Sequence, residues 1–185
     1  MSNPLLLKTG NRPRLFNRGL FPLILLFVLL TLSGITQATN LKPYTGNAPT
    51  PPLVLTDLQG KSHDLNDYKG QVVLVQFWAT YCGPCRKEMP SMNKMKGKMG
   101  EVPFSILAVD MGETEAEVKQ FVNEVKPEFT ILMDESGKSI NDWRVFAAPS
   151  NFIIDPEGKI RYTLFGGVEW DSDELIEKLK AVAKK

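Results

Sequence analysis

At 185 residues the chain is long enough for one domain with additional segments, and its 43% apolar and 23% charged composition excludes collagen-like and disordered classes. Lys8, Arg12, Arg14 and Arg18 are the only charges before residue 39; without them the 22 basic residues fall to 18 against 21 acidic ones, turning a formal +1 into −3. A domain of that sign lacks the basic footprint of a nucleic-acid binder, so no nucleic-acid partner is implied.

The N-terminus reads as a targeting segment. A basic stretch to Arg18 is followed by an uncharged apolar run from Leu20 to Leu32, 13 residues, or 16 if carried to Ile35. Small and polar residues ending Thr36-Gln37-Ala38 come next, the order of a secretory signal. The run falls short of the roughly 20 residues of a spanning helix. Residues 1–38 are therefore expected to be a signal peptide cleaved after Ala38, with an uncleaved N-terminal membrane anchor as the alternative. No cysteine follows the run to carry a lipid. Either way the basic end stays in the cytoplasm and the rest is exported, to a periplasmic or extracytoplasmic location. Residues 39–52, with Pro43, Pro49, Pro51 and Pro52, read as a linker, leaving 53–185 as the folded domain.

Leu53 to Leu55 is a short strand and Asp57 to Ser62 a turn. The continuous apolar run Val72 to Trp78 suits a central strand buried on both faces, and Phe104 to Val109 a second. A helix is expected from the cysteine motif to about Met99. Thr114 and Glu117 form a capping-box pattern, with Val118, Phe121, Val122 and Val125 at helical spacing behind them and Pro127 ending the run. Thr130 to Met133 is a short strand. Asn151 to Ile154 and Ile160 to Leu164 flank Asp155-Pro156-Glu157-Gly158, a hairpin with glycine at its tight turn. Asp171 and Glu174 read as the cap of a last helix that buries Leu175, Leu179 and Val182. Strands alternating with helices, then a hairpin and a closing helix, give an α/β fold with a mixed sheet.

The chemistry lies in Cys82-Gly83-Pro84-Cys85, which holds both cysteines of the chain. The motif follows an apolar strand and opens a helix. First-turn amides are unsatisfied donors and the dipole favours negative charge there, so a Cys82 thiolate is stabilised and reactive near neutral pH. Cys85 lies one turn later, within reach of the first sulfur but further from solvent. Cys82 should attack a substrate disulfide and Cys85 resolve the mixed disulfide. Pro84 fits an early helical position that needs no N–H, and Gly83 removes bulk beside the attacked sulfur. A tetrahedral structural zinc needs four ligands, and two thiols with one histidine, His63, do not supply it within one chain. No cofactor and no metal is implied.

The run Phe77-Trp78-Ala79-Thr80-Tyr81-Cys82-Gly83-Pro84-Cys85-Arg86-Lys87-Glu88-Met89-Pro90 resembles the active site of the thioredoxin superfamily, and more narrowly its extracytoplasmic branch typified by TlpA, ResA and CcmG. Gly60-Lys61 and Tyr68-Lys69-Gly70 match that branch's N-terminal β extension. The helix and strand from Glu115 to Met133 match its central αβ insertion, and Ala148 to Asp155 its cis-proline strand. The resemblance covers about residues 53–185 and implies a thioredoxin-like fold, a redox-active Cys82–Cys85 disulfide and no bound cofactor.

It further implies that Pro149 is cis and faces the cysteine pair, and that Ala148 offers its backbone to an extended substrate. It implies as well that the Trp78 ring covers the pair and that Glu88 tunes the thiols and handles their protons. Gln76 departs from the pattern: thioredoxin carries a buried Asp there and this branch often Asn, so the thioredoxin base is absent and Glu88 becomes its substitute.

These residues lead to a thiol–disulfide oxidoreductase that reduces disulfides in exported proteins, such as an apocytochrome c or a copper-site protein. In an oxidising compartment it needs re-reduction, hence an inferred membrane electron donor. Alternatives are a disulfide oxidase and a Cu(I) metallochaperone using the same pair. Met89, Met92, Met95 and Met99 share the helix and thioethers select Cu(I), although their helical spacing favours a flexible core stripe or a substrate surface. A peroxidase would carry a lone peroxidatic cysteine in a Pro/Thr-rich motif, which is missing. His63 reads as a surface histidine and Glu113 to Glu117 as a solvated helix start.

Overall fold

The computed structural model describes residues 41–184, so both readings of residues 1–38 lie outside the described residues. The centre of the domain is β4 (Val72–Trp78), all seven of whose residues are buried. Beside it run β5 (Phe104–Asp110), parallel, and β7 (Ser150–Ile154), antiparallel. Next to β5 lies β6 (Thr130–Met133), also parallel, and next to β7 lies β8 (Ile160–Phe165), its hairpin partner. Gly158, at φ 84°, makes the turn between them. A hairpin of β2 (Val54–Asp57) and β3 (Ser62–Asp64) extends the β6 edge, and β1 (Lys42–Pro43) lies on β8. The sheet order is β1-β8-β7-β4-β5-β6-β2-β3.

Helices cover the sheet: α1 (Gly83–Lys98), α2 (Glu115–Val125), the short α3 (Lys138–Asp142) and α4 (Asp173–Val182). Alternation along β4 sorts the core. Val72, Leu74 and Trp78 enter one cluster with Met89, Met92 and Met95 of α1, its C-cap Met99, Phe121 of α2 and Leu175 of α4. Val73, Val75 and Phe77 enter the other, with Leu53, Leu107, Trp143 and Phe152. Gln76, in step with Leu74 and Trp78, therefore projects towards α1.

The sequence-level elements are met with three differences. The α2 capping box is present, and Lys126 closes that helix in the left-handed conformation at φ 54°. The N-cap of α4 is Ser172 rather than Asp171, and α3 carries no apolar period long enough to announce it. The stretch 41–52 is no free linker. Lys42 and Pro43 pair with Thr163 and Tyr162, Leu41 is buried, and the Tyr44 N–H donates to the Arg161 carbonyl at 2.9 Å. The Pro52 carbonyl accepts from Trp143 Nε1 at 3.2 Å. Prolines suit such an edge, where unmade ladder bonds face water.

Leu41→Ala should lower the unfolding free energy by about 2–4 kcal/mol in denaturant titration. An unchanged value would restore the free-linker reading.

Candidate active site

β4 delivers the chain to the site at its C-terminal end. After Trp78 the backbone turns, with the Cys82 N–H donating to the Ala79 carbonyl at 3.1 Å. Cys82 is the N-cap of α1, in extended conformation, and its sulfur accepts from the Cys85 N–H at 3.2 Å. Pro84 occupies the first turn, where no N–H is required, and that turn contains no acidic residue to offset the helix dipole. Cys82 and Cys85 form a closed disulfide with Cα atoms 5.3 Å apart. Cys85 is 0% exposed and Cys82 7%, so of the two only Cys82 meets solvent.

The Ala148–Pro149 peptide bond is cis. Ser150 stands opposite Phe77, so on the antiparallel strand Pro149 reaches the end of β4 from which the cysteine motif departs. The Pro149 carbonyl accepts from the Gly166 N–H at 3.0 Å. A Cβ on Gly167 would stand 3.2 Å from Pro84 Cβ, so the segment after β8 packs against the motif. Trp78 is fully buried, its ring centroid 4.7 Å from that of Phe121, inside the core cluster that also holds both cysteines.

Glu88 lies one turn beyond Cys85 on α1 and is only 2% exposed. Its Oε1 accepts from Gln76 Nε2 at 2.6 Å. Its Oε2 accepts from the Val168 N–H at 3.2 Å and from Trp170 Nε1 at 3.1 Å. Burial pushes its pKa up to about 7, against the pull of the Val168 and Trp170 hydrogen bonds. It is thus poised between acid and carboxylate near neutral pH.

A carboxyl pair, Asp110 and Glu113, was missed from sequence. Glu113 accepts from the Thr80 N–H at 2.6 Å and from its hydroxyl at 2.5 Å, fastening the loop that leads into Cys82. Its own N–H donates to Asp110 Oδ1 at 2.8 Å. Asp110 is fully buried opposite Trp78, and burial, then its neighbour Glu113, pushes its carboxyl up to about 7. Glu113 is therefore not part of a solvated run, although Glu115 and Glu117 are exposed. Its position after the carboxyl end of a central parallel strand, where α/β sheets gather their sites, was the available signal.

His63 is not a surface residue either. It is buried, with Nδ1 2.6 Å from the Tyr68 hydroxyl and Nε2 2.8 Å from Asp57 Oδ2. That bond holds the Asp57 carboxyl below its usual range. Met89, Met92 and Met95 of α1 and Met99 at its C-cap are buried core side chains. Among the described residues no group of three or more His, Cys, Asp or Glu is arranged to hold a metal.

A helix that begins on a paired cysteine and leaves the middle strand of a mixed sheet is the framework of thioredoxin-fold thiol–disulfide oxidoreductases, and this chain is an enzyme of that class. Residues 47–163 match the AhpC/TSA family, and the chain belongs to it. It is 36% identical over 170 residues to the thiol-disulfide oxidoreductase ResA of Bacillus thuringiensis subsp. konkukian, covering 90% of this chain and 97% of the relative. Among solved structures it is similar to a putative thiol:disulfide interchange protein DsbE from Chlorobium tepidum, with TM-score 0.67 and 31% identity over 73% of this chain and 95% of that one. The exposed lipoprotein thioredoxin Etrx1 of Streptococcus pneumoniae gives TM-score 0.62 and 29% identity over 70% of this chain and 98% of that one.

The titration of Glu88 has a sign in stability. The folded protein holds this proton more tightly than the unfolded chain, whose value is near the ordinary 4.5. The stability it contributes is complete below that value and is lost as pH rises through about 7. Glu88→Gln should therefore gain stability relative to wild type as pH rises from about 4.5 to about 8, followed by denaturant unfolding. A difference flat across that window would contradict a buried, titrating Glu88.

Proposed function

We infer that the protein reduces disulfides in exported proteins. The observation that carries this reading is the asymmetry of the pair: one sulfur at the mouth of a helix N-terminus, its partner buried one turn below. The Cys82 thiolate attacks one sulfur of a client disulfide, forming a mixed disulfide and releasing the other client sulfur as a thiolate. Cys85 then gives up its proton and attacks Cys82 Sγ. The Cys82–Cys85 disulfide forms, the second client thiol leaves, and two electrons have passed to the client. Glu88, one turn from Cys85 and titrating near neutral pH, is suited to take the Cys85 proton. Gly83 and Pro84 keep the approach to Cys82 open, Trp78 backs the pair, and Ala148 and Pro149 offer backbone to an extended client segment.

Regeneration needs two electrons from outside the client. An exported enzyme draws them from a membrane donor, and residues 1–38 deliver or tether it to that membrane. No helix among the described residues is long and apolar enough to cross a membrane. Apocytochromes c and copper-site proteins are the client classes to which the sequence resemblance points.

Cys85→Ser should accumulate a mixed disulfide through Cys82, seen as a reductant-sensitive adduct on non-reducing gels. Cys82→Ser should abolish exchange in an insulin or client reduction assay. If Cys85→Ser traps nothing while Cys82→Ser stays active, the assignment of roles is wrong.

A further inference from the structure

The hydrogen bonds around Gln76 are unbalanced. Its Nε2 has three acceptors within reach: Glu88 Oε1 at 2.6 Å, Asn151 Oδ1 at 3.3 Å and Met92 Sδ at 3.4 Å. Its Oε1 is buried and has no partner. A fully buried amide oxygen left without a donor is costly, on the order of 1–3 kcal/mol. Such an arrangement fits one protonation state of its neighbour, the carboxylate, which only accepts.

The proton of Glu88 has one place to go. Oε2 already accepts from the Val168 N–H and Trp170 Nε1, so a proton on the acid belongs on Oε1, facing Gln76. In the orientation seen, that would set an O–H against an N–H. Rotation of the terminal amide by about half a turn, a soft torsion, brings the unpartnered Oε1 round to accept it. A carboxylate at position 76 would face Glu88 with like charge, an Asn is one methylene shorter, and an aliphatic side chain serves neither state.

We propose that Gln76 is a positioning residue that serves Glu88 in both protonation states, donating from its amide to the carboxylate and, turned over, accepting from the acid. Asn151 holds the donating orientation: its Oδ1 accepts from the Gln76 amide at 3.3 Å, a bond given up when that amide turns over, and its Nδ2 donates to the Leu164 carbonyl at 3.2 Å. The groups that meet Glu88 from β4 and from the segment after β8 are uncharged amides and an indole. Of the charged residues flanking Trp170, Glu169 is exposed and Asp171 is half-buried, 3.8 Å from Lys94; Lys87, beside Glu88 on α1, is exposed. The inference rests on the oxidoreductase reading only for its use; the coupling itself exists without a client.

The test uses the full-length protein in its disulfide form, in which neither cysteine titrates, with labelled Glu carboxyl carbons and Gln side-chain amides followed by NMR against pH. The Gln76 amide resonances should move with the same midpoint as the Glu88 carboxyl. Gln76→Met, which keeps length and removes both hydrogen-bonding functions, should raise the Glu88 midpoint by less than about one pH unit, because the bond lost from the acid offsets part of the stronger bond lost from the carboxylate. Gln76 amide signals that stay still through the Glu88 transition would overturn the proposal. The wild-type co-titration decides the matter even if the variant does not fold. Failure of the reductase reading would appear elsewhere, as absence of a trapped adduct in Cys85→Ser, and would leave this titration untouched.

Discussion

A carboxyl group sealed beneath the cysteine pair is the constraint around which the rest of the domain is arranged. Glu88 belongs to α1, and its partners come from β4 and from the segment after β8. Each donor satisfies part of a group whose burial would otherwise be strongly unfavourable. The same three contacts fasten the helix to the sheet one turn below Cys85. Ser91 adds a further tie, donating to the Glu88 carbonyl at 2.7 Å and accepting from the Trp170 N–H at 3.0 Å. The geometry that fixes the inner sulfur is thus also the geometry that holds Glu88 between its two protonation states.

Around this point the sheet performs two tasks. Its even-numbered β4 positions feed the methionine-rich core under α1, whose adaptable side chains fill the space between helix and strand. Its C-terminal edge gathers the polar groups: Asp110 at the end of β5, Glu113 after it, and the Thr80 loop that Glu113 fastens. Cys82 is held from both sides, by the helix it caps and by the loop that precedes it. The outer elements complete the sheet rather than the site. β1 lies along β8 and the β2–β3 hairpin extends β6, so both flanks of the parallel core are bounded by antiparallel strands.

What was legible in the sequence was local. The β4 run, the cysteine motif, the α2 capping box and the Gly158 hairpin each declare themselves within a few residues, and the structure has them where the pattern placed them. Glu88 and Gln76 were also visible, one as a match to a resemblance and the other as a departure from it. Their environment was not. Val168 and Trp170 reach Glu88 from 80 and 82 residues away, and Glu113 reaches Thr80 across 33, distances over which no periodicity speaks. The burial of His63 depends on Asp57 and Tyr68 folding round it, and the proline-rich stretch before β2 became an edge of the sheet because β8 offered it open backbone groups.

The most direct test of the account is the reduction potential of the Cys82–Cys85 couple, measured by equilibrating the protein in thiol redox buffers. Its Gly83-Pro84 dipeptide resembles that of reducing thioredoxins, and a value at or below about −250 mV is expected. A value near −120 mV, that of a strong disulfide donor, would contradict it and reverse the direction of electron flow while leaving the fold and the cysteine pair in place.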